Sequence, residues 1–581
     1  MRRWTLGGRV VNNVMQNSLE VRANQHSFAY PWVADQRDGT YCNPVLYADY
    51  PDPDVIRDGS DYYMTVSSFH CTPGLPILHS RDLVNWTIIN HALERLPHPR
   101  FDEVQPGCGV WAPSIRMHAG LYWIFFAMPD EGIYCITARH PADCWSAPHM
   151  VQEGKGLIDP CPLWDDDGNA YLVHAYAASR AGIKHKLRVR PMAADGSKLL
   201  GEGHIIFDDP LSHPTLEGPK FHKRDGYYYI LAPAGGVETG WQLAFRSRDV
   251  YGPYQEKVIL EQGSTSINGP HQGALVDTPA GRWWFVHFQD AKPYGRIPHV
   301  QPARWENGWP HIGIDRDRNG IGEPVARHRK PLVVVERSCG PAGVGEARGH
   351  IPAAGASLIT PQTSDDFDPP QFGAPRLGPQ WHWNANHYSN WFSLTVREGW
   401  LRLYAQTVST ALDLVRVPSV LLQKFPARSF VVDTRVDFSS ASPLQYAGLA
   451  VIGKQYAALA LRESERGGDP AEQELVCLVN GSIAAVARVP RGPVILRIGV
   501  SDGGRCSFSY DTDTSLPHPL PVQFEAVEGV WVGAKIGLFA VQTPPLEEAS
   551  DGPLEPPFSD FDYLRFRSAG LVDALGSLDA I

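Results

Sequence analysis

Three acidic residues, Asp52, Asp159 and Glu217, each stand at the head of a short apolar segment in this 581-residue chain: "PDPDVIR", "IDPCPLWD" and "LEGPKFHK". Carboxylates so far apart in sequence act together only if the fold brings them to one place. Once gathered in a partly dry pocket, like charges raise at least one pKa, so the group can hold a proton donor beside an ionised base. Asp52 and its neighbour Asp54 have a blander alternative, since Asp and Pro are standard turn formers. Two further residues occupy comparable places, Trp111 in "VWAPSIR" and His271 in "GPHQGAL".

An internal repeat supplies the convergence. The segments "RDGSDYYMTVSS", "MHAGLYWIFFAM", "DDDGNAYLVHAY", "KRDGYYYILAPA" and "TPAGRWWFVHFQ" are each a glycine turn followed by an aromatic-rich strand. Their anchors, Tyr62, Tyr122, Tyr171, Tyr228 and Trp283, are 60, 49, 57 and 55 residues apart. A period near 50 with four short strands per unit indicates a β-propeller, here with five blades. A second echo, Ser80–Trp86, Ala138–Ser146 and Ser247–Tyr254, is expected to form outer strands. Counting back 10 to 12 residues from each anchor reaches Asp52, Trp111, Asp159, Glu217 and His271. The first strand of a propeller blade lines the central channel, so these five positions are expected to be equivalent and to meet around one axis. Proline near the start of these strands costs little there.

Such a cluster has the equipment to cleave a glycosidic bond, with one acid protonating the leaving oxygen and one base activating water. Trp111 would offer a sugar ring an apolar face. A separation of about 6.5–9.5 Å between acid and base would leave room for the water of an inverting reaction. The competing reading is a glycan-binding propeller without catalysis, which has no use for a protonated acid beside an ionised base.

Composition narrows the partners. The net charge of −11 includes no basic stripe, which argues against nucleic acid or an anionic membrane. No apolar run approaches the roughly 20 residues of a membrane span. The start "MRRWTLGGRVVNNVMQNSLE" lacks an apolar secretion core, so a cytoplasmic protein is expected. The nine cysteines show no CxxC spacing, which fits a reducing compartment and argues against a disulfide framework or zinc site. The "DDDG" run, Asp165–Gly168, lacks EF-hand spacing and reads as a solvated acidic turn.

The segments "NPVLYADYPDPDVIRDGSDYYMTVSSF", "PGLPILHSRDLVNW", "GVWAPSI", "IDPCPLWDDDGNAYLV", "LEGPKFHKRDGYYYIL" and "GPHQGALV", in that order, closely resemble glycoside hydrolase family 43, in particular its β-xylosidases and α-L-arabinofuranosidases. The resemblance implies a five-bladed propeller enzyme that inverts anomeric configuration. By the same resemblance Asp52 would be the general base, Glu217 the general acid, and Asp159 the residue that orients the acid and tunes its pKa. Arg296, in "PYGRIP", would grip sugar hydroxyls, alongside Trp111 and His271. No cofactor is required, though a structural calcium ion near His271 is compatible with the family. Asp54 departs from the family, where Ser is common. The expected activity is release of xylose from the non-reducing ends of xylooligosaccharides, with α-L-arabinofuranosidase activity beside it or in its place. Homo-oligomers are compatible with the resemblance.

The whole chain is expected to be all-β: an extension over 1–38, a catalytic propeller over 39–335, a Gly/Ala/Pro-rich linker over 336–362, an antiparallel β-sandwich over 363–570 and a tail over 571–581. Alternating segments such as "SFVVDTRVDF" and "VILRIGVSD" carry the sandwich reading. Its resemblance is to the concanavalin-like domain of the same family, which begins with a DDF segment and ends with DFDY, here Asp365–Phe367 and Asp560–Tyr563. In that domain a loop, matched by "VWVGAKIG", closes over the propeller pocket. Lys535 falls where an aromatic is common, implying a more polar cap. A pocket closed on one side favours removal of single sugars from chain ends.

Overall fold

The computed structural model describes residues 30–332, 334–336, 348–350, 359–408, 412–438, 444–463, 471–512, 517–543 and 557–569. The first 29 residues, most of the expected linker and the tail 571–581 lie outside the described residues. Across the expected boundary between propeller and linker, Val334–Glu336 pairs with Arg348–His350, a short strand pair that the linker's composition did not announce.

Five four-stranded antiparallel sheets follow one another in chain order. Their innermost strands are Asp54–Asp58, Trp111–His118, Leu157–Trp164, Lys220–Arg224 and His271–Asp277. The aromatic segments are the second strands, such as Leu121–Met128, buried at nearly every position because neighbouring blades cover both faces. Tight turns precede them, with glycines such as Gly120 at φ +74° and Gly226 at φ +72°, a region open to glycine without steric cost. The all-β, five-bladed expectation holds.

The second echo is corrected. Ser80, Ala138 and Ser247 end third strands, and the residues after them are turns into the fourth strand. Short polar side chains replace ladder bonds there: Ser80 Oγ accepts from the N–H groups of Asp82 and Leu83, and Asp82 Oδ1 from those of Val84 and Asn85. The recurring Ser-x-Asp marks a turn rather than a strand.

The ring is closed by its ends. Thr40–Cys42 pairs with Arg327–Arg329, and the Asn43 amide donates to the carbonyls of Val300 and Val325, 2.8 Å each. Arg57 of blade 1 grips Asp277 of blade 5 through two bonds of 2.9 and 2.8 Å. Blades 1 and 5 are thus joined by charge-assisted, bidentate contact as well as by burial.

The second half is a sandwich of two antiparallel sheets. One sheet runs from His382–Trp383 through Leu421–Lys424, Lys535–Gln542 and Gln445–Ile452 to Ser482–Pro490; the other centres on Phe558–Ser568, Phe430–Asp437 and Val494–Ser501. Leucines and valines from both inner faces, such as Leu449, Leu459, Leu496 and Leu564, form one core. The DDF segment meets the strand that carries DFDY, since Asp365 pairs with Leu564 through backbone bonds, and Asp560 of that strand receives Arg402 at 2.8 Å.

The sandwich docks directly on the propeller. Thr72 pairs with Trp383, Tyr294 Oη donates to the Arg428 carbonyl at 2.7 Å, and Ala534 N–H donates to the Pro293 carbonyl at 2.7 Å. Asp49 joins the two halves, since its Oδ1 accepts Arg296 N–H and its Oδ2 accepts Gly533 N–H, both at 2.9 Å.

Candidate active site

Within two residues of the start of each inner strand lies one residue in the left-handed backbone region: Asp52 (φ +56°), Ala112 (+33°), Asp159 (+58°), Gly218 (+60°) and Gln272 (+39°). In three blades the ladder slips at this point, the signature of a β-bulge, which re-aims a side chain at a sheet end. The five expected positions are therefore not equivalent. Asp52 and Asp159 occupy the left-handed slot themselves, whereas Trp111, Glu217 and His271 sit one residue before it. The variable 10-to-12 spacing concealed this offset. Two neighbouring slots let one ring present acids from different directions.

Asp52 is held on both oxygens. Ser67 Oγ donates to Oδ2 at 2.5 Å, and the Arg296 guanidinium donates to Oδ1 at 2.9 Å. Ser67 in turn accepts Ala112 N–H at 2.7 Å, which ties this carboxylate to the bulge of the next blade. Arg296, expected to grip sugar, is paired with Asp52, its guanidinium 5.0 Å from the Phe288 ring centre.

Asp54 points elsewhere. It is 1% exposed and accepts from Arg116 Nη1 at 2.6 Å and Ile115 N–H at 2.8 Å, with Lys220 Nζ 3.9 Å away. Asp54 is thus an inter-blade anchor, whereas Asp52 bonds to Arg296 and acts electrostatically on Asp159, which separates the two acids of the PDPD motif. Replacing Asp54 by Asn leaves the half-buried Arg116 and the buried Lys220 without their carboxylate. The expected loss is about 3–5 kcal/mol, read by chemical denaturation, with turnover per folded molecule unchanged.

Asp159 and Glu217 are neighbours through the backbone, since Gly218 N–H donates to Asp159 Oδ2 at 2.7 Å. Burial, then the charge of Glu217 and, more weakly, that of Asp52, push the Asp159 carboxyl well above the usual carboxylate range. These interactions place all three acids in one electrostatic unit, as convergence on one axis requires. Glu217 keeps 29% of its side chain exposed, and His271 Nε2 lies 3.3 Å from its Oε1. His271 itself is fully buried. It therefore backs Glu217 instead of lining an open sugar subsite, a correction to the expected substrate contact. Its Nδ1 has no partner among the described residues. No three His, Cys, Asp or Glu side chains among those residues are grouped so as to hold a metal ion.

The walls are aromatic and cationic. Trp111 is half-buried, with the Arg180 guanidinium 5.2 Å from its ring centre and Phe69 at 6.3 Å. Trp531, from the sandwich, stands 6.4 Å from Trp111 and 5.7 Å from the Arg296 guanidinium carbon, 48% exposed. Its loop packs tightly on the propeller: a Cβ at Gly107 would lie 2.6 Å from Val530 Cγ1. The expected polar cap at Lys535 is corrected, because the residue at the mouth is Trp531. Lys535 begins the following strand and is buried between the domains. The sequence reading also missed Ser67 and Asp49, whose importance lies wholly in neighbours from other blades and the sandwich.

Comparison with known proteins adds two family matches. Residues 41–310 match the model of glycosyl hydrolases family 43, and residues 365–567 match the beta xylosidase C-terminal concanavalin A-like domain. The chain is 43% identical over 428 residues to a Xylanibacter ruminicola protein named "Putative beta-xylosidase", covering 74% of this chain and 73% of that one. It is 30% identical over 560 residues to a beta-xylosidase of Formosa agariphila, covering 87% and 88%. The crystal structure of a xylan beta-1,4-xylosidase from Bacillus halodurans has the same fold, with TM-score 0.73 at 23% identity over 91% of this chain and all of that one.

Proposed function

The chain belongs to glycosyl hydrolase family 43, and from that premise we propose that it is an inverting exo-acting β-xylosidase, releasing xylose from the non-reducing ends of xylooligosaccharides. The observation that carries this reading is the unequal environment of three carboxylates in one pocket. Glu217, partly exposed, is the proton donor to the glycosidic oxygen. Asp52, fixed by Ser67 and Arg296, takes a proton from the attacking water. Asp159, bonded to the backbone beside Glu217, keeps a proton available in the acid's neighbourhood and orients it.

Trp531 and Trp111 flank the mouth, which favours a chain end over a mid-chain segment. The two pentoses of arabinoxylan share much of their hydroxyl geometry, so substrate preference is a matter of few contacts. Proton NMR of early xylobiose hydrolysis tests the mechanism: α-xylose is expected to appear first, and initial β-xylose contradicts inversion. Parallel assays with nitrophenyl β-xyloside and α-L-arabinofuranoside test the preference, a stronger rate on the arabinoside reversing it.

A further inference from the structure

The junction between propeller and sandwich gathers two lysines and two histidines around a single carboxylate, Asp49. Lys424 and Lys535 lie directly opposite each other on neighbouring antiparallel strands. His382, one strand further, is in register with Leu422, two residues from Lys424. Side chains alternate along a strand, so His382, Lys424 and Lys535 share one face. That face meets the propeller, where Lys424 Nζ sits 5.1 Å from the Tyr50 ring centre.

These three residues, with His91 from blade 1, line a cavity of about 90 Å³ between the domains. His382 and Lys535 are each 7% exposed. His382 Nε2 has no hydrogen-bond partner among the described residues, and there neither lysine forms an ion pair. Among those residues the one carboxylate lining the cavity is Asp49, which accepts the N–H groups of Arg296 and Gly533 and acts on Lys424 through its charge without an ion-pair contact, one negative charge against two lysines.

Like charges placed opposite each other on adjacent strands destabilise a sheet, and a buried cation without a partner costs still more. Burial, then Lys424, pushes the His91 imidazole down to about 4, and burial with both lysines pushes His382 well below its usual range. The histidines thus relieve the repulsion by staying neutral, and they present N–H groups. Two ammonium groups and two imidazoles around a void make a donor set for an anion with several acceptor oxygens.

We propose that this cavity binds a small inorganic oxyanion, which clamps the sandwich to the propeller. The probe is sodium phosphate, titrated into the full chain in HEPES with ionic strength held constant by sodium chloride. A saturable rise in Tm is expected, on the order of 3–5 °C at a hundredfold excess over Kd. The double variant Lys424→Met/Lys535→Met is expected to lose that rise, while its Tm without phosphate equals or exceeds that of the parent. Where the double variant does not fold, Lys535→Met alone is expected to weaken phosphate at least tenfold. Sulfate is expected to reproduce the shift and acetate to give a smaller one. An undiminished shift in the lysine variants would assign phosphate to another site, such as Arg296, and overturn the proposal. A rise without saturation, or one matched by chloride, would do the same.

Discussion

Replacing Glu217 by Gln is expected to lower kcat/KM for xylobiose by about 10²–10⁴-fold, the range supplied by a positioned general acid. The amide keeps the volume and the approach to His271 Nε2 but has no proton to give to a sugar leaving group. A dinitrophenyl xyloside, whose leaving group departs without protonation, should lose less than tenfold. The contrast between the two substrates is the readout. Equal losses on both would mean that Glu217 holds the pocket together and does not donate, and the assignment of the acid would fail.

Replacing Asp52 by Ala is expected to cost as much, again about 10²–10⁴-fold, but on both substrates alike. Water must be activated whichever group departs, so leaving-group quality gives no escape. The truncation also opens space beside Ser67 and Arg296, where an external anion can enter. Sodium azide, which needs no base, is therefore expected to restore turnover of the activated xyloside. Attack from the face opposite the departing group makes the product α-xylosyl azide, identifiable by NMR. Rescue that yields the β-azide would place the missing carboxylate on the wrong side of the ring, and full activity without azide would remove Asp52 from the chemistry.

Much of this molecule is written in local patterns. The five aromatic strands recur because each must be covered on both faces by neighbouring blades, and that demand repeats with the blade. The acids at the strand heads were legible for the same reason. Their one-residue offset was not, because a bulge changes the direction of a side chain without changing residue type. Asp54 and Asp52 look alike in a string of letters. Only Arg116 and Ile115 of the next blade, against Ser67 and Arg296, separate an anchor from a pocket acid. The capping loop was placed in the right segment and assigned to the wrong residue: Lys535 is already the first residue of a strand, so its side chain follows the sheet, whereas Trp531, at φ +66°, lies in the loop itself.

Asp49 has a consequence for the order in which the protein comes into being. A chain made from its N-terminus can complete the wheel once Arg327–Arg329 has met Thr40–Cys42. At that moment one oxygen of Asp49 still awaits Gly533, and the rim residue Trp531 has not been synthesised. The newborn propeller therefore holds its acids without their rim tryptophan until the last tenth of the chain is made.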